Sequence, residues 1–347
     1  MRRLLALLPL ALLAAAAPSA PWDWSTAELG WLSPDGAQPY AESRAICARV
    51  LHAEPPASDR PTPEQAKALK GCDSDALYHG IGRPADPVKA RLCAFTEKED
   101  EVGHFGGRAM LMTIYANGRG AARNLDVATH LACGLETAAP MEHAIRIPRL
   151  HKLEPGKAFS VCDDATSGQL GGICVAHEAR FAIVDRDRRI AALARKEAYA
   201  ASPAFAAARR AMETYASAHS GGDQDLSGTL RGAFIVGAEE SVRDRFLKTL
   251  EALARNRVPP ASAGTYARID ARLNTSFRAV LAEDFEDGRL GVGTVTEEGR
   301  RISARAWIAY RDAMLAFAAR HYPRVSRAAL ATYLTRQRID DLAPIAT

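Results

Sequence analysis

The stretch from Ile302 to Asp312 reads ISARAWIAYRD. Trp307 and Tyr310 are continued by Met314 and Phe317, so apolar side chains recur every three or four residues, as on one face of a helix. About thirty residues upstream, Ala271 to Leu281 reads ARLNTSFRAVL. There the face runs from Ile269 through Leu273, Phe277, Val280 and Leu281. Between the two lie Gly288, Gly291, Gly293 and Gly299, so the pattern predicts an αα-hairpin over about 264–322. Thr296 is a candidate cap, and Glu297 and Glu298 suit the exposed N–H groups of a helix start. Pro323 has no N–H to donate and stops the run. Trp307 and Tyr310 are expected in the core. Arg311 and Asp312 are adjacent and are expected to diverge around the helix, toward a neighbour or solvent, rather than pair.

These two pieces resemble the LprI-type lysozyme-inhibitor family of bacterial envelope proteins. The residues that carry the resemblance are Leu273, Asn274, Arg305, Trp307, Tyr310, Arg311 and Asp312. It implies an exported binding protein that blocks the cleft of a lysozyme-like muramidase, with these residues as fold markers or partner contacts. The chain departs from the family pattern at Ala304, where relatives carry Gln, and at Leu315, near a position where they often carry Cys. No cysteine lies beyond Cys174, so packing must replace a disulfide in this hairpin.

Outward from the hairpin, Pro259 and Pro260 separate it from an Ala/Arg/Glu-rich run, 179–257, with few breakers. That run reads as about three helices interrupted near 219–228. Residues 154–178 look irregular and disulfide-braced. Before them stands a weak repeat: ALYHGIGRPADPVKARLCAF from Ala76 to Phe95, and TIYANGRGAARNLDVATHLAC from Thr113 to Cys133. Tyr78 aligns with Tyr115, Gly80 and Gly82 with Gly118 and Gly120, Asp86 with Asn124, and Ala90 with Ala128, at a period of 37 to 38 residues. The tyrosines are expected to fill the gap between helices, the glycines to permit a tight turn, and the Asx residues to cap. This pattern resembles Sel-like helical repeats. Helices near 42–52 and 141–153 are expected to cover the ends of so short an array. The fold class that follows is all-α: a short α/α-repeat domain at 21–153, a linker at 154–178, and a helical-hairpin or bundle domain at 179–347.

The N-terminus has the order of a secretory signal over 1–20. Arg2 and Arg3 precede an apolar run from Leu4 to Ala17, followed by the small residues Ser19 and Ala20. That run is too short to span a bilayer comfortably, and no other stretch approaches spanning length. The expected location is a bacterial periplasm. Six cysteines, Cys47, Cys72, Cys93, Cys133, Cys162 and Cys174, fit an oxidising compartment. They allow 15 pairings, of which the short loop Cys162–Cys174 is preferred. A zinc site would want a C-x-x-C pair or paired histidines, and the sequence has neither among these cysteines.

Charge divides the chain. Residues 21–179 carry a net −5 and residues 180–347 a net +7, the latter with 25 Arg against two Lys. Clustered basic runs interleaved with aromatics are missing, so no nucleic-acid partner is expected. Most lysozymes are basic, and a +7 half would repel them at long range. Contact with one would need a local acidic patch such as Glu283, Asp284, Glu286 and Asp287. The loop Asp223-Gln-Asp225-Leu-Ser227-Gly228 matches the first half of a calcium-binding EF-hand loop, but its twelfth position is Phe234, so it reads as a helix-capping loop. His177-Glu178 lacks a second His four residues on, and His79 reads as a surface residue. No hydrolase, metalloprotease or dinucleotide signature is present, so no catalytic residue, cofactor or metal is expected. The partner is expected to be a protein: a lysozyme, or in the alternative an envelope component recruited by the repeats to a non-catalytic scaffold.

Overall fold

The computed structural model describes residues 22–28, 38–98, 103–282, 285–286, 289–290 and 293–342. The expected signal segment, 1–20, lies outside them. The fold is all-α. Short helices come first: α1 (Ala41–Val50), α2 (Pro63–Ala68), α3 (Ser74–His79), α4 (Pro87–Ala94), α5 (Gly107–Asn117), α6 (Leu125–Cys133) and α7 (Pro140–His151). Longer ones follow: α8 (Gly168–Lys196), α9 (Pro203–Gly222), α10 (Arg231–Ala254), α11 (Ala263–Leu281), α12 (Glu297–His321) and α13 (Arg327–Leu342). The only strands among the described residues are a two-residue antiparallel pair, β1 (Phe285–Glu286) and β2 (Arg289–Leu290), in the turn before α12.

Of the first seven helices all but α2 share one core, around Trp24, Tyr78, Met110, Met112, Ile114 and Tyr115. Both turns of the internal repeat are built alike. Gly80 and Gly118 end α3 and α5 in the left-handed region, at φ +79° and +62°, where a Cβ would be strained. Asp86 and Asn124 then accept the backbone N–H of Lys89 and Val127, capping α4 and α6. Ala90 and Ala128 are fully buried and let these helices approach. α1 packs on α6 and α7 and is tied to α6 by Cys47–Cys133. Cys72–Cys93 brackets the first repeat turn, and Cys162–Cys174, the preferred pair, closes a loop with its Cα atoms 5.8 Å apart.

The composition of 154–178 predicts irregular structure throughout, but α8 begins at Gly168. Ser167 caps it by accepting the N–H of Leu170 at 3.1 Å. The glycines that read as breakers serve a helix crossing: a Cβ on Gly172 would stand 3.1 Å from the backbone nitrogen of Ala233 in α10. The 178/179 boundary therefore falls inside a continuous helix. α8 reaches both halves of the chain. Its first turns hold Cys174 and pair Arg180 with Asp73 and Asp75, and its last turns put Ile190 and Ala194 into a second core.

That second core contains Phe205, Met212, Tyr215, Phe246, Leu250, Trp307, Tyr310, Met314 and Phe317. Its closest packed pairs are α9 with α12, α8 with α10, and α11 with α13. The predicted hairpin is therefore rearranged. Thr296 caps α12 as expected, accepting the N–H of Gly299 at 3.0 Å, but the backbones of α11 and α12 stand apart. α11 lies instead against the C-terminal helix α13, which also packs on α12.

Candidate functional site

The gap between α11 and α12 is a groove of about 290 Å³. Asp270, Leu273, Asn274 and Phe277 of α11 line one side, and Ala304, Trp307, Ile308 and Arg311 of α12 line the other. Arg338 and Leu342 of α13 also contribute to its lining. Ile308 is 44 % exposed, while Trp307 is buried against the core. Apolar side chains with a few polar groups among them suit a protein side chain or short segment better than a charged small molecule.

Of the seven residues singled out in sequence, Leu273, Asn274, Trp307 and Arg311 line this groove. Tyr310 turns away into the core, stacked on Tyr215 with ring centroids 5.8 Å apart. Burial raises its pKa, and its hydroxyl has no hydrogen-bond partner among the described residues. Arg305 is exposed and pairs with Glu298 at 2.7 Å. Asp312 is exposed too, and here the structure corrects the expectation of divergence. The long Arg311 side chain folds back, so that its guanidinium meets the Asp312 carboxylate at 3.0 Å. The same guanidinium lies 5.2 Å over the Trp307 ring, 3.8 Å from Asp270, and donates to the Tyr266 hydroxyl at 3.3 Å. Arg311 thus ties α12 to α11. It also borders a second hollow of about 280 Å³, whose lining includes Tyr266, Leu315 and Arg327. The side chains of Glu283, Asp284, Glu286 and Asp287, the expected acidic patch, lie outside the described residues.

Beneath the groove runs a buried polar network that sequence reasoning missed. Asp223 accepts from His219 Nδ1 at 2.8 Å, Ser303 Oγ at 2.5 Å and Arg338 Nη1 at 2.8 Å, all on Oδ2. Arg338 also donates to the Tyr215 hydroxyl at 3.1 Å, which donates in turn to Asp341 at 2.7 Å. Burial alone would raise the Asp223 pKa, but the bonds from His219, Arg338 and Ser303 outweigh it and hold the carboxyl below its ordinary value. The calcium-like loop is accounted for by the same geometry. Its first acid is spent on Arg338, and its second, Asp225, accepts the backbone N–H of Ser227 and of Thr294. Its side chains do not cap α10, which starts without a side-chain cap.

Two groups of donor side chains come within metal-binding reach among the described residues. In one, Cys72 and Cys93 are spent on each other as a disulfide beside Glu97. The other is Asp75, His79 and His177, at the junction of α3 and α8. Burial holds the His79 imidazole below its ordinary pKa, against the pull of Asp75. Both histidines were set aside in sequence, and His79, read there as a surface residue, is only 29 % exposed at its side chain. Asp75 and His79 do carry a local signal, a one-turn spacing, but His177 is 102 residues from its Asp75 partner.

Comparison with family models, with curated proteins and with solved structures finds no match to this chain.

Proposed function

We propose that this chain is an exported, non-catalytic protein-binding protein of LprI type, which seats part of a lysozyme-like muramidase on the groove between α11 and α12. One observation carries the proposal: four residues chosen in sequence by resemblance, Leu273, Asn274, Trp307 and Arg311, converge on one groove. Exposed Ile308 on its rim is a natural apolar anchor. Three disulfides accord with export to an oxidising compartment.

The test is lysis of peptidoglycan-bearing cells by lysozymes of several classes, with purified protein at micromolar concentration. Protection is expected against at least one class. Ile308→Glu, at an exposed position, should abolish protection while leaving the melting temperature unchanged. Added salt should leave affinity unchanged or improve it, because the +7 half and a basic target repel. Failure to protect against every class would retire inhibition. A second reading, an envelope scaffold working through the repeat half, is favoured by a larger cavity of about 480 Å³ there, lined in part by Trp22, Leu51, Phe95, Leu111 and His130. Pull-down of an envelope protein that depends on Leu51 and not on Ile308 would select it.

A further inference from the structure

We propose that Asp75, His79 and His177 form a binding site for a divalent transition metal of the zinc class, with three protein ligands and a remaining position open to solvent. Asp75 and His79 stand one turn apart on α3, so both side chains face α8. His177 comes from the third turn of α8. The three donor atoms lie within 4.8 Å of one another. His177 Nε2 is 2.8 Å from Asp75 Oδ1, and His79 Nε2 is 3.6 Å from the same oxygen. A metal about 2.1 Å from each donor in tetrahedral geometry sets donors about 3.4 Å apart. The Asp75–His79 spacing already suits this, and His177 need retreat from Asp75 by about 0.6 Å. The short His177–Asp75 hydrogen bond is what such a pair forms when it faces each other with no ion between.

The surroundings support the same assignment. The second oxygen of Asp75 accepts from Arg180, whose other nitrogen holds Asp73 at 2.5 Å, so the carboxylate is oriented from outside the ligand set. Phe105 stacks on His177 with ring centroids 3.7 Å apart and planes 4° apart. Phe181 stands edge-on to both imidazoles, at 5.4 and 5.9 Å. The rings are thus held in place on an apolar wall, as a site for a borderline-soft ion requires. Two imidazoles and one carboxylate favour Zn²⁺, Ni²⁺, Co²⁺ or Cu²⁺ over Ca²⁺ or Mg²⁺, which need more oxygens. Access is built in: the Asp75 side chain is 4 % exposed, but that of His79 is 29 % exposed. Bound metal would clamp α8, whose last turns enter the second core, onto the repeat half.

The experiment is calorimetric titration of untagged, chelator-stripped, disulfide-intact protein with Zn²⁺ alone, paired with Co²⁺ absorption. One equivalent of Zn²⁺ should bind, the Co²⁺ form should show the visible bands of a low-coordinate site, and zinc should raise the melting temperature. Loss of a second-sphere partner commonly weakens a metal site by about 10–100-fold, so loss of a direct ligand in His79→Ala or His177→Ala should weaken it by at least about 100-fold. His52→Ala, at an exposed residue outside the cluster, should change nothing. Should His177→Ala fail to fold, His79→Ala, at a partly exposed ring on the last turn of α3, decides alone. No zinc binding by the parent protein, or binding unchanged in folded His79→Ala, overturns the proposal.

Discussion

Replacing Asp223 with Ala should unfold the second core far more readily than the loss of one surface acid would. The carboxylate and Arg338 are buried at 2 % and 1 % side-chain exposure, and together they join the end of α9 to α12 and α13. Removing the acid leaves the guanidinium buried with, among the described residues, the Tyr215 and Ser303 hydroxyls as its remaining hydrogen-bond acceptors. Stranding a buried charge costs about 3–5 kcal/mol, whereas removing both charges for apolar groups of similar volume is often neutral. The single variant should therefore lose about 3–5 kcal/mol, and Asp223→Leu with Arg338→Met should recover most of it. Hydrogen exchange resolved by peptide separates this from the disulfide-braced half. Amides of α9, α12 and α13 should exchange about 10²- to 10⁴-fold faster in the single variant, since each 1.4 kcal/mol is a factor of ten, while those of α5 should not change. A single variant that exchanges like the parent, or a double variant as weak as the single, would refute the view that an unpaired Arg338 is what costs.

Three further outcomes are expected. Trp307→Ala should lower stability by about 3–5 kcal/mol in denaturant titration, because the indole is 4 % exposed within the second core; an unchanged midpoint would show it is dispensable to packing. His143 is stacked on Trp24, and burial, aided by Arg146, pushes its pKa down to about 4. The unfolded chain then binds the extra proton first, so stability present above about pH 6.5 should fall by up to about 3 kcal/mol as pH drops to about 4, and His143→Phe should flatten that stretch of the pH–stability curve. Thiol counting under denaturing, non-reducing conditions should find no free cysteine. Serine replacement of the Cys47–Cys133 pair should cost about 4–5 kcal/mol, against about 3 for Cys162–Cys174, because the loops span 86 and 12 residues; equal losses would count against loop entropy as the cause.

What could be read from sequence was what a single turn of chain decides. Tyr78, Gly80 and Asp86, and their counterparts Tyr115, Gly118 and Asn124, define a turn, a left-handed glycine and a cap within about ten residues, and all six positions behave as expected. Cys162–Cys174 was legible for the same reason, the two being 12 residues apart. The remainder depends on partners that local pattern does not name. Periodicity identified the apolar face of α11 but not which helix would cover it, and α13 does so in place of α12.

Charged side chains were the least legible, because their partners lie far along the chain. Arg338 finds Asp223 across 115 residues, and Arg180 finds Asp75 across 105. In an Arg-rich half with +7 net charge, each of these looked like one more solvated cation. Only burial separates them. Arg305, exposed beside Glu298, contributes little to stability, while Arg338, beneath the groove, cannot lose its acid without a large cost. The groove follows from that difference. Its floor is held by a charge pair shut away from water, so its rim, with Ile308 and Asn274 exposed, is free to vary with a partner while the helices that carry it stay fixed.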